Sequence, residues 1–370
     1  MSDFPDEESI LSVEQLEQNL DSIRERICQI DLELVAKAAE RVELARQVGE
    51  LKRRQKLPTV DYAHEKVVVG RARAAARELG LDPDVAEDLS ARLISAAVTA
   101  QEQDSLRVAA VGKGKKAVVV GGAGRMGRWI TGFLSAQGYG TGVLDPAVPP
   151  DENEREGLGL SSAEFVVCST PPAATAELYW NWSRKPPTGV VVDVASIKTP
   201  LIEPIAALQR AGGRVASIHP MFGPSAMLLR GADVVICDTG DPEAISAVEK
   251  LFQPTTAHIV HLPLADHDRI MADLLSLAHA AAIAFALALP ETEHPVRSTT
   301  FRSLESLAAA VVRESPDVYY EIQASNPHSS VALERLQTAL HRIVEVIKAQ
   351  DSKGFRELFE EGKRRTPQGR

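Results

Sequence analysis

Between Val13 and Lys56, a stretch with no proline and one glycine, apolar residues fall at Ile23, Ile27, Ile30, Leu34, Leu44, Val48 and Leu51. The steps of three and four are those of one helix face. They predict a single helix of about forty residues, too long for a small domain of its own and so expected to pack against a partner chain. Pro58 ends it. A second helix is expected over 61–79, stopping at Gly80, and a third begins with Asp82 as cap and Pro83 at its first position and runs to about 104. Residues 1–12 are polar and are expected to be disordered.

After a linker at 107–116 the pattern changes to short β-branched runs: 117–121, 142–144, 165–169, 190–194, 214–218, 233–237 and 258–262. Apolar on both faces, they predict buried strands of a mostly parallel, doubly wound sheet covered by helices. Beyond Leu264 the strand signals cease, and the chain reads as helical to about Glu361, followed by a basic tail at Lys363, Arg364, Arg365 and Arg370. The fold class expected is α/β plus all-α, in three parts: a helical domain over 1–106, a Rossmann-like nucleotide domain over 107–263 and a helical substrate and dimerisation domain over 264–370. The apolar run at 274–290 is shorter than the 18 or more residues of a membrane span and is expected in a core or a subunit interface.

With 41 Lys plus Arg against 51 Asp plus Glu, the net charge is −10, which excludes a general electrostatic footprint for nucleic acid. Cys28, Cys168 and Cys237 lie far apart, so neither a disulfide framework nor a zinc site is expected, and a cytoplasmic address follows. The acidic N-terminus, MSDFPDEES, lacks the features of a signal peptide.

Between the first strand and its helix lies Gly122-Ala-Gly124-Arg125-Met126-Gly127. Glycine is needed there because the backbone must turn sharply and approach a pyrophosphate seated on a helix N-terminus. The second strand ends at Asp145, 23 residues after Gly122. A carboxylate there can accept bonds from both ribose hydroxyls and would repel a 2′-phosphate, so NAD is favoured over NADP. Arg125 is either a phosphate ligand or a solvated side chain.

Ligands of open α/β sheets collect beyond the carboxyl ends of strands. Three such ends are polar: Ser169-Thr170-Pro-Pro, Asp193-Val-Ala-Ser196-Ile-Lys198 and His219-Pro-Met-Phe-Gly-Pro224. The rigid turn after His219 fixes where its ring points, as a catalytic histidine requires. His267, in Asp266-His267-Asp268, and His279 read as supporting residues, while His258 and His261 point to opposite faces of a strand and cannot share a metal.

These residues carry a resemblance. HPMFGP (219–224), VDVASIK (192–198), HDRIMA (267–272) and the glycine loop together resemble the prephenate dehydrogenases, and the helical domain resembles the intertwined, all-helical chorismate mutases. A fusion in this order resembles the bifunctional chorismate mutase/prephenate dehydrogenases of tyrosine synthesis. The resemblance implies that His219 accepts a hydrogen bond from the substrate's 4-hydroxyl and that Ser196 supports the same contact. It implies further that Lys198, His267 and Arg302 hold substrate and that Gly122, Gly124, Arg125, Met126, Gly127, Asp145, Ser169 and Thr170 hold NAD.

In the helical domain the three-four stripe continues through Lys37 and Arg41, cations that are costly on an apolar seam unless an anion or a break in packing meets them. Arg41 and Lys52 are 11 residues apart, about 20° out of phase and roughly 16 Å along the axis, so both can reach one small dianion. Arg24 lies roughly 100° off that face and would have to come from a partner chain. The resemblance implies the same set around chorismate, joined by Asp61, Glu65 and Gln101. It is broken at His64, where arginine is expected, and at Ala97, where serine is. A homodimer with small-molecule substrates is expected. Two other readings remain open: a dehydrogenase acting on arogenate or 4-amino-4-deoxyprephenate, and a helical domain that only dimerises or binds an effector.

Overall fold

The computed structural model describes residues 13–55, 57–148, 158–226, 229–291 and 296–366. Residues 1–12, expected to be disordered, and Arg370 of the basic tail lie outside them. The chain forms two compact units, the first of Met1–Ala110 with Met227–Gly231 and Gln253–Thr256, the second of the remainder.

In the first unit, α1 (Val13–Arg54), α2 (Tyr62–Glu78) and α3 (Pro83–Ala109) stand where the periodicity puts them. Asp61 caps α2, its carboxylate accepting from the His64 N–H, and Asp82 caps α3 ahead of Pro83. The third helix overruns its expected end because Ser105-Leu-Arg-Val-Ala109 offers no breaker; it stops at Ala110, in the left-handed region at φ 38°. Ile94, Ala97, Val98 and Leu106 of α3 make the small core. Gly49 lets α3 lie close on α1, since a Cβ there would sit 2.7 Å from Gln101 Cγ. Ile23, Ile27 and Leu34, on the N-terminal half of α1, are more than half exposed. Together they form an exposed apolar stripe on this helix.

The second unit is built on a seven-stranded sheet of order β2-β1-β3-β4-β5-β6-β7. Its strands are β1 (Lys116–Val120), β2 (Gly140–Leu144), β3 (Phe165–Cys168), β4 (Val190–Asp193), β5 (Arg214–Pro220), β6 (Asp233–Asp238) and β7 (His258–Pro263). All neighbours are parallel except β5 and β6. Among the described residues no helix lies between those two strands, as an antiparallel neighbour needs no crossover. Val118, Val166, Tyr179, Val191, Leu201, Leu208 and Val215 pack the core on one face.

Helix α4 (Arg125–Ala136) follows the glycine loop. After β7 come α5 (His267–Met271), a π-turn (Ala272–Ser276) and α6 (Leu277–Ala288) in one continuous run, then α7 (Thr299–Val312), α8 (Pro316–Ser325), α9 (Ser329–Lys348) and α10 (Ser352–Arg365). By length and composition the 22-residue run His267–Ala288 could cross a membrane. Its first turn, however, buries His267 and Asp268 inside the protein.

Candidate active sites

In the second unit the polar strand ends converge. His219 is the sixth residue of β5, its backbone fixed by pairing opposite Val235 of β6. Its Nδ1 lies 3.1 Å from His267 Nε2, and His267 Nδ1 lies 2.7 Å from Asp268 Oδ1. The carboxylate can only accept, so His267 Nδ1 carries a proton and His267 Nε2 is a bare lone pair. His219 Nδ1 must then donate, which leaves His219 Nε2 as an acceptor.

Electrostatics agree with a neutral ring. Burial, with the neighbouring charges of His267 and Lys198, pushes His219 well below the usual histidine range. His267 is also lowered, chiefly by burial, although its bond to Asp268 works the other way. For Asp268 burial opposes the charge, but bonds from His267, Thr199 and the Lys198 backbone outweigh it and keep the carboxyl below its ordinary value. Asn326 Nδ2 donates to the Asp268 carbonyl at 2.7 Å, fastening the start of α5 to the end of α8.

Lys198 and His267 do not have the positions expected of substrate ligands. Lys198 is fully buried, its Nζ donating to Asp193 Oδ1 at 2.5 Å and to the Ile218 carbonyl at 2.7 Å. It therefore braces the end of β5 one residue before His219. His267 is fully buried too, and its place is behind His219. Ser196 is half-buried just past the end of β4. Arg302 is exposed in the first turn of α7, with no described contact to the histidine pair.

The glycine loop has the shape expected of it. A Cβ at Gly127 would lie 2.1 Å from the Gly121 carbonyl oxygen, and one at Gly122 would lie 2.6 Å from Val143 Cγ1. Gly124 caps α4 without a side chain, leaving the N-terminal N–H groups of that helix toward the loop. Gly121, which the spacing rule passes over, is equally required: its φ is +78° and a Cβ would meet the Ser169 carbonyl at 2.5 Å. Asp145 accepts from the Ala123 N–H at 3.0 Å and from Ala147 N–H at 2.9 Å. A carboxylate has about four acceptor sites, so ribose hydroxyls can share it.

Arg125 is exposed, with its guanidinium paired to Glu314. Met126 and Ser169 are half-buried beside the loop, and Thr170 Oγ1 bonds Thr175 Oγ1 at 2.8 Å. Trp129 of α4 ties the loop's helix to the turn after His219, stacking edge-on against Phe222 at 4.9 Å and donating to the Ala226 carbonyl at 2.8 Å. A cleft of about 560 Å³ lined by Lys116, Glu164, Gly189 and Arg214 is at the amino ends of the strands, the wrong end for the chemistry of such a sheet.

In the first unit Arg41 Nη1 donates to the Leu93 carbonyl at 2.8 Å, and Lys52 Nζ to the Thr59 carbonyl at 3.1 Å. Gln101 is buried, with Nε2 donating to the Ala45 carbonyl at 2.6 Å. Asp61 is held below the usual carboxylate range, first by the backbone N–H of His64 and, against some burial, by the charge of Lys52. Arg41 and Gln101 thus bridge α1 and α3, while Lys52 and Asp61 stand together at the start of α2. Arg24 does not join them; it is exposed and pairs with Asp21 at 3.3 Å. Glu65 is bonded at 2.5 Å to Arg230, whose guanidinium also lies 5.7 Å from the centre of the Tyr62 ring. Nothing in the sequence signals Arg230, which is 165 residues from Glu65.

Three family models match in succession: chorismate mutase type II over 23–102, the nucleotide-binding domain of prephenate dehydrogenase over 150–261, and the prephenate dehydrogenase dimerization domain over 263–361. The chain is 28% identical to the T-protein of Enterobacter agglomerans over 343 residues, 91% of this chain and 90% of that one. It is 29% identical to the 4-amino-4-deoxyprephenate dehydrogenase of Streptomyces pristinaespiralis over 270 residues, 66% of this chain and 89% of that one. The crystal structure of prephenate dehydrogenase from A. aeolicus, in complex with hydroxyphenyl propionate and NAD+, shares the fold at a TM-score of 0.53 and 18% identity, over 68% of this chain and 96% of that one.

Proposed function

The chain belongs to the bifunctional chorismate mutase/prephenate dehydrogenase family, and from that premise we propose how its own residues carry the two reactions. The enzyme rearranges chorismate to prephenate and then converts prephenate to 4-hydroxyphenylpyruvate by NAD-dependent oxidative decarboxylation.

For the second step, the observation that carries the assignment is the chain Asp268–His267–His219, which presents a neutral imidazole with its Nε2 lone pair available. That nitrogen accepts a hydrogen bond from the 4-hydroxyl of prephenate. The bond strengthens as the C4–H pair leaves as hydride, the oxygen becomes carbonyl-like, and the electrons of the carboxylate C–C bond enter the ring with loss of CO2. The glycine cradle, with Asp145 for the ribose, fits a dinucleotide that, when bound, takes up the hydride. Ser196 supports the hydroxyl contact, and Arg302 grips a substrate carboxylate. Lys198 and His267 act through His219, the first by bracing its strand and the second by fixing its tautomer.

The first step needs neither nucleophile nor proton transfer, only a substrate folded into a chair and charge placed along the breaking C–O bond. Arg41, Lys52 and Gln101 supply that in one protomer and Arg24 in its partner, a homodimer supported by the bare seam on α1 and by the dimerization-domain match. We place the enzyme in the cytoplasm, a reading that its three unpaired cysteines support.

Purified protein given chorismate without NAD+ should accumulate prephenate; with NAD+ it should form 4-hydroxyphenylpyruvate, NADH and CO2. No turnover without NAD+ would mean that the helical unit only dimerises or binds an effector. A higher kcat/KM for arogenate or 4-amino-4-deoxyprephenate than for prephenate would reassign the dehydrogenase substrate.

A further inference from the structure

A substrate with two carboxylates must enter a region where two acids already stand. Asp61 and Glu65 lie one turn apart at the start of α2, and the Lys52 ammonium beside Asp61 also serves the Thr59 carbonyl. His64, between the two acids, is exposed. Counting the start of α2 by itself, without the Arg41 of the same site, two carboxylates against one ammonium disfavour a dianion there.

Arg230 changes that balance. Its Nη2 lies 2.5 Å from Glu65 Oε2, with about a quarter of the guanidinium side chain and a fifth of the carboxylate side chain exposed. The contact commits one of the five guanidinium N–H donors. The backbone holds it firmly, since Leu229 N–H donates to the buried carboxylate of Glu102 at 3.2 Å and Gly231 turns the chain at φ +70°. Thr256 N–H and Oγ1 donate to the other oxygen of Glu102, at 2.6 and 3.0 Å.

We infer that Arg230, contributed by the sequence between β5 and β6, is a substrate-binding and positioning residue of the mutase: it neutralises and orients Glu65 and offers its remaining N–H groups to a substrate carboxylate. The inference rests on the mutase reading above. It makes the first reaction depend on a residue that lies outside the segment matched to chorismate mutases.

The test uses the full-length protein and chorismate without NAD+, with prephenate oxidation assayed in parallel. Arg230→Gln is expected to raise the mutase KM about tenfold or more, to change kcat much less, and to leave dehydrogenase kcat/KM within about twofold of wild type. His64→Arg added to Arg230→Gln should recover most of the lost affinity by returning a guanidinium beside Glu65, which a merely structural ion pair would not allow. An unchanged KM in Arg230→Gln overturns the inference. So does a loss that His64→Arg fails to recover, or one shared equally by both activities. A wild-type protein that does not turn over chorismate overturns the mutase reading and this inference with it; wild-type turnover indifferent to Arg230 overturns the inference alone.

Discussion

His219 finds its partners within one chain, behind a ring that is 4% exposed and in line with a buried histidine and carboxylate. The cations of the helical unit are arranged otherwise: Arg41 and Lys52 rest on backbone carbonyls and Arg24 stands on an uncovered stretch of helix. The two reactions account for the difference. Oxidation needs one imidazole kept neutral and aimed, which burial achieves within a single fold. The rearrangement needs several charges around a folded substrate, and these can be spread over two chains because none has to exchange a proton.

The comparison breaks most sharply at His219. His219→Asn should lower dehydrogenase kcat about a hundredfold or more and leave the mutase intact; equal losses in steady-state assays of both would refute separate sites. Arg41→Ala should do the reverse, lowering mutase kcat/KM by about tenfold to a hundredfold, the worth of a lost charged hydrogen bond. Mixing Arg24→Ala with Arg41→Ala protein should restore mutase turnover, because each mixed dimer then holds one intact site. If it restores none, the site is not shared. Lys198→Met leaves Asp193 buried without its cation, and should cost about 3–5 kcal/mol in denaturant unfolding, with a weaker fall in dehydrogenase kcat. The smallest effect concerns pH. Protonated His219 cannot accept the hydroxyl's bond, and burial lowers its affinity for protons. The acid limb of dehydrogenase kcat/KM should therefore lie below the ordinary histidine value of about 6.5, and a limb at or above it would show the ring to be solvated.

Much of this was legible in the residues. Seven strands and three long helices follow from period and breakers, and the glycine loop, Asp145 and the HPMFGP turn announce themselves because backbone geometry restricts which residues fit. Side-chain direction is less legible. The resemblance makes Lys198 a ligand, and only the packed structure turns it inward to Asp193; Arg125, open in the sequence between phosphate ligand and solvated side chain, pairs with Glu314. Asp268 was visible beside His267, but its ordering role depends on which ring nitrogen faces it. Arg230 was beyond reach, since a pairing across 165 residues leaves no local pattern.

Glu102 bears on any attempt to divide the protein. Its carboxylate receives the N–H groups of Leu229 and Thr256, which lie a few residues ahead of the strands beginning at Asp233 and His258. Excising the chain after Ala110 to obtain a free-standing dehydrogenase would strip both entry segments of their acceptor at once. Such a fragment should exchange the Leu229 and Thr256 amide hydrogens faster than the intact enzyme does, and a Glu102→Gln full-length chain should show a milder form of the same loosening.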